Sequence, residues 1–297
     1  MTHTPIYPVV SSHDVCGEGA IWHPEQSAVF WTDINRHLLH RYIRGNGAFD
    51  TWQFDQPVTA VTLTSDEELI LIVLGGRIVL WSLPLKKIVS TLFTLPEWPT
   101  VRCNDARVAP NGALWFGTMQ NNVRPDGTAS EIKEWMGQLY SLAAGSDAKS
   151  WRSGLGIANT VAWSPDGETM YFGDTLRNCL YRCDFDSKRN RIENAAIFHQ
   201  SFARGLPDGS AVDRDGYLWN CRYGGGCIVR IAPDGSVVHV INTPVKNPTT
   251  CTFGSGDLRT LFFTSAGGGQ AADDDAPGSL FSLELETPGL PTTPFRL

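Results

Sequence analysis

Four polar side chains recur at closely similar distances ahead of a bulky residue, each within a short and similar stretch of sequence. They are Glu18 (13 residues before Trp31), Asn104 (11 before Trp115), Asn159 (12 before Tyr171) and Asp208 (11 before Trp219). Two carboxylates and two amides that met at one point would repel each other or lack partners unless a cation lay between them. Carboxylate and amide oxygens are the ligands that hard divalent cations prefer. The pattern therefore predicts a site for one divalent metal ion, without distinguishing Ca, Mg, Mn, Zn or Fe.

Each of these residues also has a simpler interpretation when it is taken alone. Glu18 could be an exposed residue of a glycine-rich turn, and Asn159 could cap a turn. Asp208 lies in a Pro-Asp-Gly sequence like that of the hairpin turn at 233–235. A second turn signal at 215–216 follows closely, however, and leaves room only for a short strand between the two turns. That strand places Asp208 at its beginning and favours the metal interpretation.

The elements that must position these residues are repeated β-hairpins. Each copy is a short apolar strand, a turn and a second strand, and the copies are 19–34, 59–76, 104–119, 159–175, 208–222 and 248–265. Each copy has a bulky residue at the equivalent place in its second strand, and these residues are Trp31, Leu71, Trp115, Tyr171, Trp219 and Phe262. Consecutive members of this set are 40, 44, 56, 48 and 43 residues apart. A repeat of about 40–50 residues built from four short strands is typical of a β-propeller. The sequence predicts an all-β, six-bladed β-propeller that takes up residues 1–297 as a single domain.

A propeller explains why the polar residues should meet. The innermost strand of each blade lines a central channel, and the residue at its start points towards the axis. Thr59 takes this place in one further copy, and Asn247 or Thr249 takes it in the last. The one long interval between copies predicts an inserted loop near 120–136. A β-sandwich would also contain alternating strands and turns, but it would not account for the fixed period.

The composition excludes several kinds of partner. The chain has 24 Lys and Arg against 31 Asp and Glu, a net charge of −7 and no basic stripe, so nucleic acid is not an expected partner. The longest apolar run, near 69–74, is too short to span a membrane, and residues 1–10 lack the pattern of a secretory signal. Seven cysteines without metal-type spacing indicate free thiols in a reducing cytoplasm. We expect a cytoplasmic monomer or small homo-oligomer that acts on a small molecule.

Other residues have weaker signals. Arg102 shares a strand face with Asn104, so it could orient a polyhydroxylated ring or oppose a developing oxyanion. Alternatively, Arg102 could pair with Asp105 for structural reasons. Tyr223 precedes three glycines and could line the pocket, although a plain flexible turn accounts for this segment equally well. The acidic triplet at 273–275 lacks the spacing of an EF-hand and is interpreted as a solvated loop. No histidine aligns with the polar positions, so nothing supports a Ser-His-Asp mechanism.

Several segments, in the right order and over nearly the full length, resemble the gluconolactonase/regucalcin/luciferin-regenerating family. They are GEGAIWHPE (17–25), RCNDARVAPNGALWFGTM (102–119), GQLYSL (137–142), GIANTVAWSPDGETMYFGDT (156–175) and LPDGSAVDRDGYLW (206–219). The resemblance implies a metal held by Glu18, Asn159 and Asp208, with water completing the coordination. It implies that Arg102 and Asn104 contact substrate oxygens. The implied enzyme is a metal-dependent hydrolase that opens a sugar-acid lactone to the aldonic acid, and Asp208 is its expected general base.

The chain departs from the family pattern at two places. Thr160 stands where the family usually has glycine, and a β-branched residue does not easily adopt a positive φ. If the family glycine uses a positive φ, this loop has shifted, while the ligand Asn159 remains. The segment after Met119 reads Gln120-Asn121-Asn122, where relatives often carry an acidic substrate contact. Two other functions stay open on the sequence alone. One is a phosphotriesterase-like or other esterase on the same propeller, and the other is a non-catalytic calcium-binding or interaction propeller.

Overall fold

The strands of the protein are gathered into six four-stranded antiparallel sheets. The computed structural model describes residues 5–268 and 277–297, so the acidic triplet at 273–275 lies outside the described residues. The innermost strands of the sheets contact one another in a closed ring, each touching its two neighbours. This arrangement confirms the predicted all-β, six-bladed propeller.

The described residues form 24 strands and one short 3-10 helix at Thr175–Arg177. The strands are β1 (Ile6–Val10), β2 (Gly17–His23), β3 (Ala28–Asp33), β4 (Leu38–Ile43), β5 (Ala48–Gln53), β6 (Val58–Leu63), β7 (Leu69–Leu74), β8 (Arg77–Ser82), β9 (Lys87–Thr94), β10 (Val101–Val108), β11 (Leu114–Gln120), β12 (Gly137–Leu142), β13 (Lys149–Leu155), β14 (Ala158–Trp163), β15 (Thr169–Asp174), β16 (Cys179–Asp186), β17 (Arg191–Gln200), β18 (Leu206–Val212), β19 (Leu218–Tyr223), β20 (Cys227–Ile231), β21 (Val237–Asn242), β22 (Pro248–Gly254), β23 (Thr260–Ser265) and β24 (Leu280–Glu284).

The blades follow one another along the chain, from the inner strand to the outer strand of each sheet. The first five are β2 to β5, β6 to β9, β10 to β13, β14 to β17 and β18 to β21. The sixth contains β22, β23 and β24, and its outer strand is β1 from the beginning of the chain. Ile6 pairs with Leu283 in this sheet, so the first and last parts of the chain close the ring together.

The burial of each strand follows its place in the blade. The inner strands β2 and β6 are buried at every residue, because adjacent blades cover both of their faces. The outer strand β5 alternates between half-buried and exposed residues, since one of its faces meets solvent. Aromatic side chains fill the space between blades. The fully buried Trp115 stacks on Trp151 of its own blade and meets the edge of Trp163 in the next one.

Every inner strand breaks register with the second strand of its blade near the same point. The breaks lie between Glu18 and Ile21, Val58 and Ala60, Cys103 and Ala106, Asn159 and Ala162, Pro207 and Ser210, and Pro248 and Cys251. A β-bulge redirects a side chain out of the regular pleat. We call the residues at these bulges the first ring, and they are Glu18, Thr59, Asn104, Asn159, Asp208 and Thr249.

Strand β18 already begins at Leu206, so Asp208 lies inside a strand, and its interpretation as a hairpin turn is wrong. Residues 121–136 connect β11 to β12, in the segment where an inserted loop was predicted.

All seven cysteines lie in the described part and are free thiols. Within the described residues, no helix has the length and hydropathy needed to span a bilayer.

Buried carboxylates join the strands and turns within several blades, and Asp213 does so in the fifth blade. Its carboxylate accepts hydrogen bonds from Trp219 Nε1 at 2.9 Å and from Arg230 Nε and Nη2 at 2.9 and 2.7 Å. It also accepts the backbone N–H groups of Asp215 and Tyr217 at 3.1 and 3.0 Å. Because Asp213 is fully buried, its removal would leave a guanidinium and an indole N–H without their partner.

We expect Asp213→Ala to lower the free energy of unfolding by about 3–5 kcal/mol, the usual loss when one member of a buried ion pair is removed. Asp215→Ala is the matched control. Its side chain is 62% exposed and lies 3.9 Å from Arg230, so it should change stability by less than about 1 kcal/mol. Equilibrium urea unfolding measures both variants. Equal effects of the two substitutions would show that the buried tie does not stabilise the blade.

Candidate functional site

The structure brings Glu18, Asn159 and Asp208 together at one end of the channel. Nδ2 of Asn159 donates to Oδ1 of Asp208 at 2.6 Å, and the carboxyl groups of Glu18 and Asp208 share a hydrogen bond. The backbone N–H of Gly19 donates to Glu18 Oε2 at 3.1 Å. All three side chains are buried, with at most 8% of the residue exposed. Three blades therefore supply three oxygen-bearing side chains to one point.

The two carboxyl groups are in an environment that disfavours their ionised forms. Burial raises the pKa of Glu18 well above its usual range, and the charges of Asp208 and Asp105 raise it further. Burial and the charge of Asp105 raise the pKa of Asp208 to about 8, although its hydrogen bonds to Glu18 and Asn159 act in the opposite direction. A buried pair of this kind needs either a shared proton or a cation.

The donor set fits a hard divalent cation. Both hydrogens of Asn159 Nδ2 are used, one by Asp208 and the other by Thr175 Oγ1 at 3.1 Å. The amide oxygen, Oδ1, therefore accepts no hydrogen bond from the described residues. Two carboxylates and one amide oxygen suit Ca²⁺, Mg²⁺ or Mn²⁺. In the described part of the chain, no three His, Cys, Asp or Glu side chains converge, so nothing there resembles a nitrogen- and sulfur-based zinc site.

Thr160 keeps the backbone conformation that a glycine would adopt. Its φ is +51°, so Thr160 adopts the positive φ that a β-branched residue was expected to avoid. Its hydroxyl donates to the backbone carbonyl of Asp208 and lies 3.0 Å from Ser210 Oγ. Asn220 Nδ2 donates to that same carbonyl at 3.0 Å. A left-handed conformation costs a β-branched residue about 1–2 kcal/mol, and these hydrogen bonds between blades offset that strain.

Arg102 and Asn104 form a rigid pair beside the three residues. Arg102 Nη1 donates to Asn104 Oδ1 at 2.7 Å, and Asn104 Nδ2 donates to the carbonyl of Ala158 at 3.0 Å. Burial lowers the pKa of Arg102 to about 10, against the attraction of nearby groups that include Glu18 and Asp208. Asp105 instead accepts the backbone N–H groups of Ala106 and Val161, so the structural Arg102–Asp105 pair is not formed.

Two residues near Arg102 were missed by sequence reasoning. Asn122 Oδ1 accepts both Arg102 Nε at 3.2 Å and Nη2 at 3.0 Å, so its side chain fixes the plane of the guanidinium group. Cys16 is half-buried, and burial together with the charges of Glu18 and Asp208 raises the pKa of its thiol. A signal for Asn122 was present, since it lies just beyond β11 in the segment 120–122 that departs from the expected family pattern. The signal for Cys16 was its position directly before Gly17 and Glu18 in the sequence.

Tyr223 and the loop 121–136 lie at the mouth of this site. Tyr223 ends β19 and is 41% exposed, and burial followed by the charges of Cys16, Asp208 and Glu18 raises the pKa of its phenol. The loop reaches across to the first blade, where Asn35 Nδ2 donates to the carbonyl of Gly127 at 2.7 Å. Trp135 of the loop lies under the guanidinium of Arg177 in the fourth blade, at 4.3 Å. The loop therefore forms one wall of the mouth.

Comparison with known proteins finds similar chains of known family and fold. The family described as SMP-30/Gluconolactonase/LRE-like region matches residues 16–267. The chain is 31% identical to pentonolactonase XacC of Haloferax volcanii, over 95% of each chain. It is 32% identical to L-arabinolactonase of Azospirillum brasilense, over 97% of this chain and 94% of that one. The crystal structure of regucalcin from Agrobacterium tumefaciens, described as a calcium-binding protein, superimposes with a TM-score of 0.87 at 28% identity, covering 99% of this chain and 98% of that one.

The facing carboxyl groups lead to a prediction about the protein without metal. Acids whose pKa is raised by folding bind more protons in the folded state, so stability falls as pH rises from about 4 towards 8. Glu18→Gln removes one member of the pair. It should stabilise the metal-free protein by roughly 1 kcal/mol or more at pH 8 and by clearly less at pH 5.

The measurement is urea unfolding after exhaustive chelation, at both pH values, with Glu25→Gln as the control because Glu25 is exposed in the same blade. Calcium should then stabilise the wild type more than Glu18→Gln. A Glu18→Gln protein that is less stable than the wild type at pH 8 without metal would show that the two carboxyl groups do not repel each other.

Proposed function

The chain belongs to the SMP-30/gluconolactonase/LRE-like family, and we propose that it is a metal-dependent lactonase that opens a sugar-acid lactone to the aldonic acid. The observation that carries this proposal is the contact between the buried carboxyl groups of Glu18 and Asp208, close to the cation of Arg102. Two relatives, 31% and 32% identical to this chain, are named pentonolactonase and L-arabinolactonase. Their names support a pentonolactone as the first substrate class to test.

Glu18, Asn159 and Asp208 are the proposed ligands of one divalent cation. Their oxygen donors fit such an ion, and the regucalcin that superimposes on this chain is described as calcium-binding. When bound, the ion would polarise the lactone carbonyl and supply positive charge to the oxyanion that forms. The protein's own residues account for the remaining parts of the reaction.

Asp208 is the proposed general base. Its carboxylate takes a proton from the water that attacks the lactone carbonyl carbon, and returns the proton to the ring oxygen as the C–O bond of the ring breaks. The products are a carboxylic acid, which ionises at neutral pH, and a free hydroxyl group. Asn159 orients the Asp208 carboxylate through its 2.6 Å hydrogen bond to Oδ1. As a monodentate ligand Asp208 would give the ion one oxygen and keep a lone pair on the other to accept the proton. Thr160 fixes the backbone of Asp208 from the neighbouring blade.

Arg102, Asn104 and Tyr223 are the proposed substrate contacts. Arg102 is held by Asn104 on one side and by Asn122 on the other, and its Nη1 also donates to the carbonyl of Cys103. One hydrogen of Nη2 is therefore left in a fixed position for a substrate oxygen. Such preorganisation contributes to catalysis, because the donors need not be reordered during the reaction. Tyr223, at the mouth, can cover one face of a sugar ring. Free thiols throughout the chain are consistent with our further proposal of a cytoplasmic location.

The polar mouth argues against the esterase alternative. A phosphotriesterase-like enzyme needs a more apolar pocket, whereas Arg102, Asn104 and Asn122 present amide and guanidinium groups here. The calcium-binding alternative is favoured by the resemblance to regucalcin, and it predicts binding without turnover. The activity assay below separates these functions, because only the lactonase hydrolyses sugar lactones at a rate that depends on Asp208.

We expect the metal-loaded protein to hydrolyse pentonolactones and hexonolactones, as measured by acid release in a weakly buffered indicator assay. Chelation should abolish this activity while circular dichroism shows the fold retained, since the buried blades do not depend on an axial ion. Asp208→Asn should lower kcat by about 100-fold or more at saturating metal, which is the usual contribution of a general base.

Asp50→Asn is the control for this substitution. It removes a carboxylate from the outer strand β5 of the first blade, where Asp50 pairs with Arg41, so kcat should remain unchanged. Full activity in the presence of chelator would contradict the role of the metal. An Asp208→Asn enzyme with wild-type kcat at saturating metal would contradict the role of Asp208 as base.

A further inference from the structure

A second ring of side chains faces the channel below the first. It lies three positions further along each inner strand and consists of Ile21, Thr62, Arg107, Ala162, Ala211 and Thr252. All six residues line one cavity of about 260 Å³. Pro110 and Pro165, from the turns that follow two inner strands, are exposed at its rim. The cavity therefore opens on the face of the propeller opposite to Glu18 and Asp208.

Arg107 spans this cavity. It extends from β10 in the third blade, and its Nη2 donates to the carbonyl of Cys251 in β22 at 3.3 Å. The sixth blade lies opposite the third in a ring of six, so the guanidinium group lies across the channel axis. Among the described residues that line the cavity, Arg107 is the only charged one. The positive charge at this end of the channel is thus not neutralised by a carboxylate of the lining.

The unpaired polar atoms at the cavity include two nitrogen donors. Nη1 of Arg107 and Nε1 of Trp163 are buried and have no hydrogen-bond partner among the described residues. The same is true of the hydroxyl of Thr62 in the adjacent blade. A guanidinium and an indole N–H can only donate, and buried donors in folded proteins are normally paired. Both donors belong to residues that line the cavity, so an anionic acceptor there would have Arg107 and Trp163 as neighbours.

The rest of the lining is largely apolar. Ile21, Val161, Val212, Phe253 and Leu290 contribute hydrocarbon surface around the guanidinium group. Most small-molecule sites combine such apolar walls with a few well-placed polar groups. We propose that this cavity is a second binding site, which takes a small organic monoanion with a carboxylate head and a short apolar body. The head would meet Arg107 and Trp163, and the body would lie against the apolar wall.

The C-terminal segment forms one side of this site. Leu290, Pro291, Thr292 and Thr293 line the cavity, and hydrogen bonds on both sides fix their path. Leu290 N donates to the carbonyl of Val212 at 3.1 Å, and Phe295 N donates to the carbonyl of Leu63 at 2.8 Å. The segment therefore crosses from the fifth blade to the second and gives the site a fixed wall.

Isothermal titration calorimetry with benzoate tests the proposal on the full-length protein. Benzoate should bind with one-to-one stoichiometry, and benzamide, a neutral molecule of the same shape, should bind at least tenfold more weakly. Orthophosphate should also bind at least tenfold more weakly, because it has no apolar body. Arg107→Met should weaken benzoate binding at least tenfold. Arg102→Met, which removes a guanidinium from the other end of the same strand, should leave benzoate binding unchanged.

Several outcomes would overturn the proposal. They are no detectable benzoate binding, equal affinity for benzoate and benzamide, phosphate binding as tight as that of benzoate, and loss of binding in Arg102→Met but not in Arg107→Met. The last result would place benzoate at the mouth near Glu18. If circular dichroism shows that Arg107→Met is unfolded, the anomalous bromine signal of 4-bromobenzoate bound to wild-type crystals decides the location. A bromine peak in the cavity supports the proposal, and a peak elsewhere or none contradicts it.

Discussion

The bulge near the start of each inner strand is the constraint on which the rest of this molecule depends. Six strands run side by side around the channel, and each breaks register with its own blade where it begins. The bulge turns one side chain per blade out of the regular pleat and towards the axis. The bulge also places the residue three positions later in the same strand on the side that faces the channel. The composition of the two rings is therefore decided by six short segments of sequence.

These two rings have opposite charge. The first contains Glu18 and Asp208, whose buried carboxyl groups touch, and the second contains Arg107 as its only charged member. Each arrangement is unfavourable without a counterion, because burial penalises an uncompensated charge. The folded blades, with their apolar layers and buried ties such as that at Asp213, are what holds these groups in place. Strain is tolerated nearby for the same reason, as Thr160 shows with its positive φ.

The sequence predicted the fold and the three residues that meet on the axis, because both follow from one repeat. A period of about 40–50 residues identifies the blades, and equivalent positions in a ring must converge. The positive φ of Thr160 could not be predicted, since propensity alone does not include the hydrogen bonds that its hydroxyl makes to the next blade. Asn122 and Arg107 were missed for another reason. Asn122 acts from a loop outside the repeat, and the role of Arg107 depends on which groups face it across the channel.

The most direct test of this account is the position of a bound ion. Crystals grown with Mn²⁺ should show one strong anomalous peak at the manganese edge, about 2.0–2.6 Å from side-chain oxygens of Glu18, Asn159 and Asp208. Peak height should fall sharply in Glu18→Gln crystals prepared in the same way. A fully occupied peak at any other place, or no peak at millimolar Mn²⁺, would contradict the claim that these three residues form a metal centre.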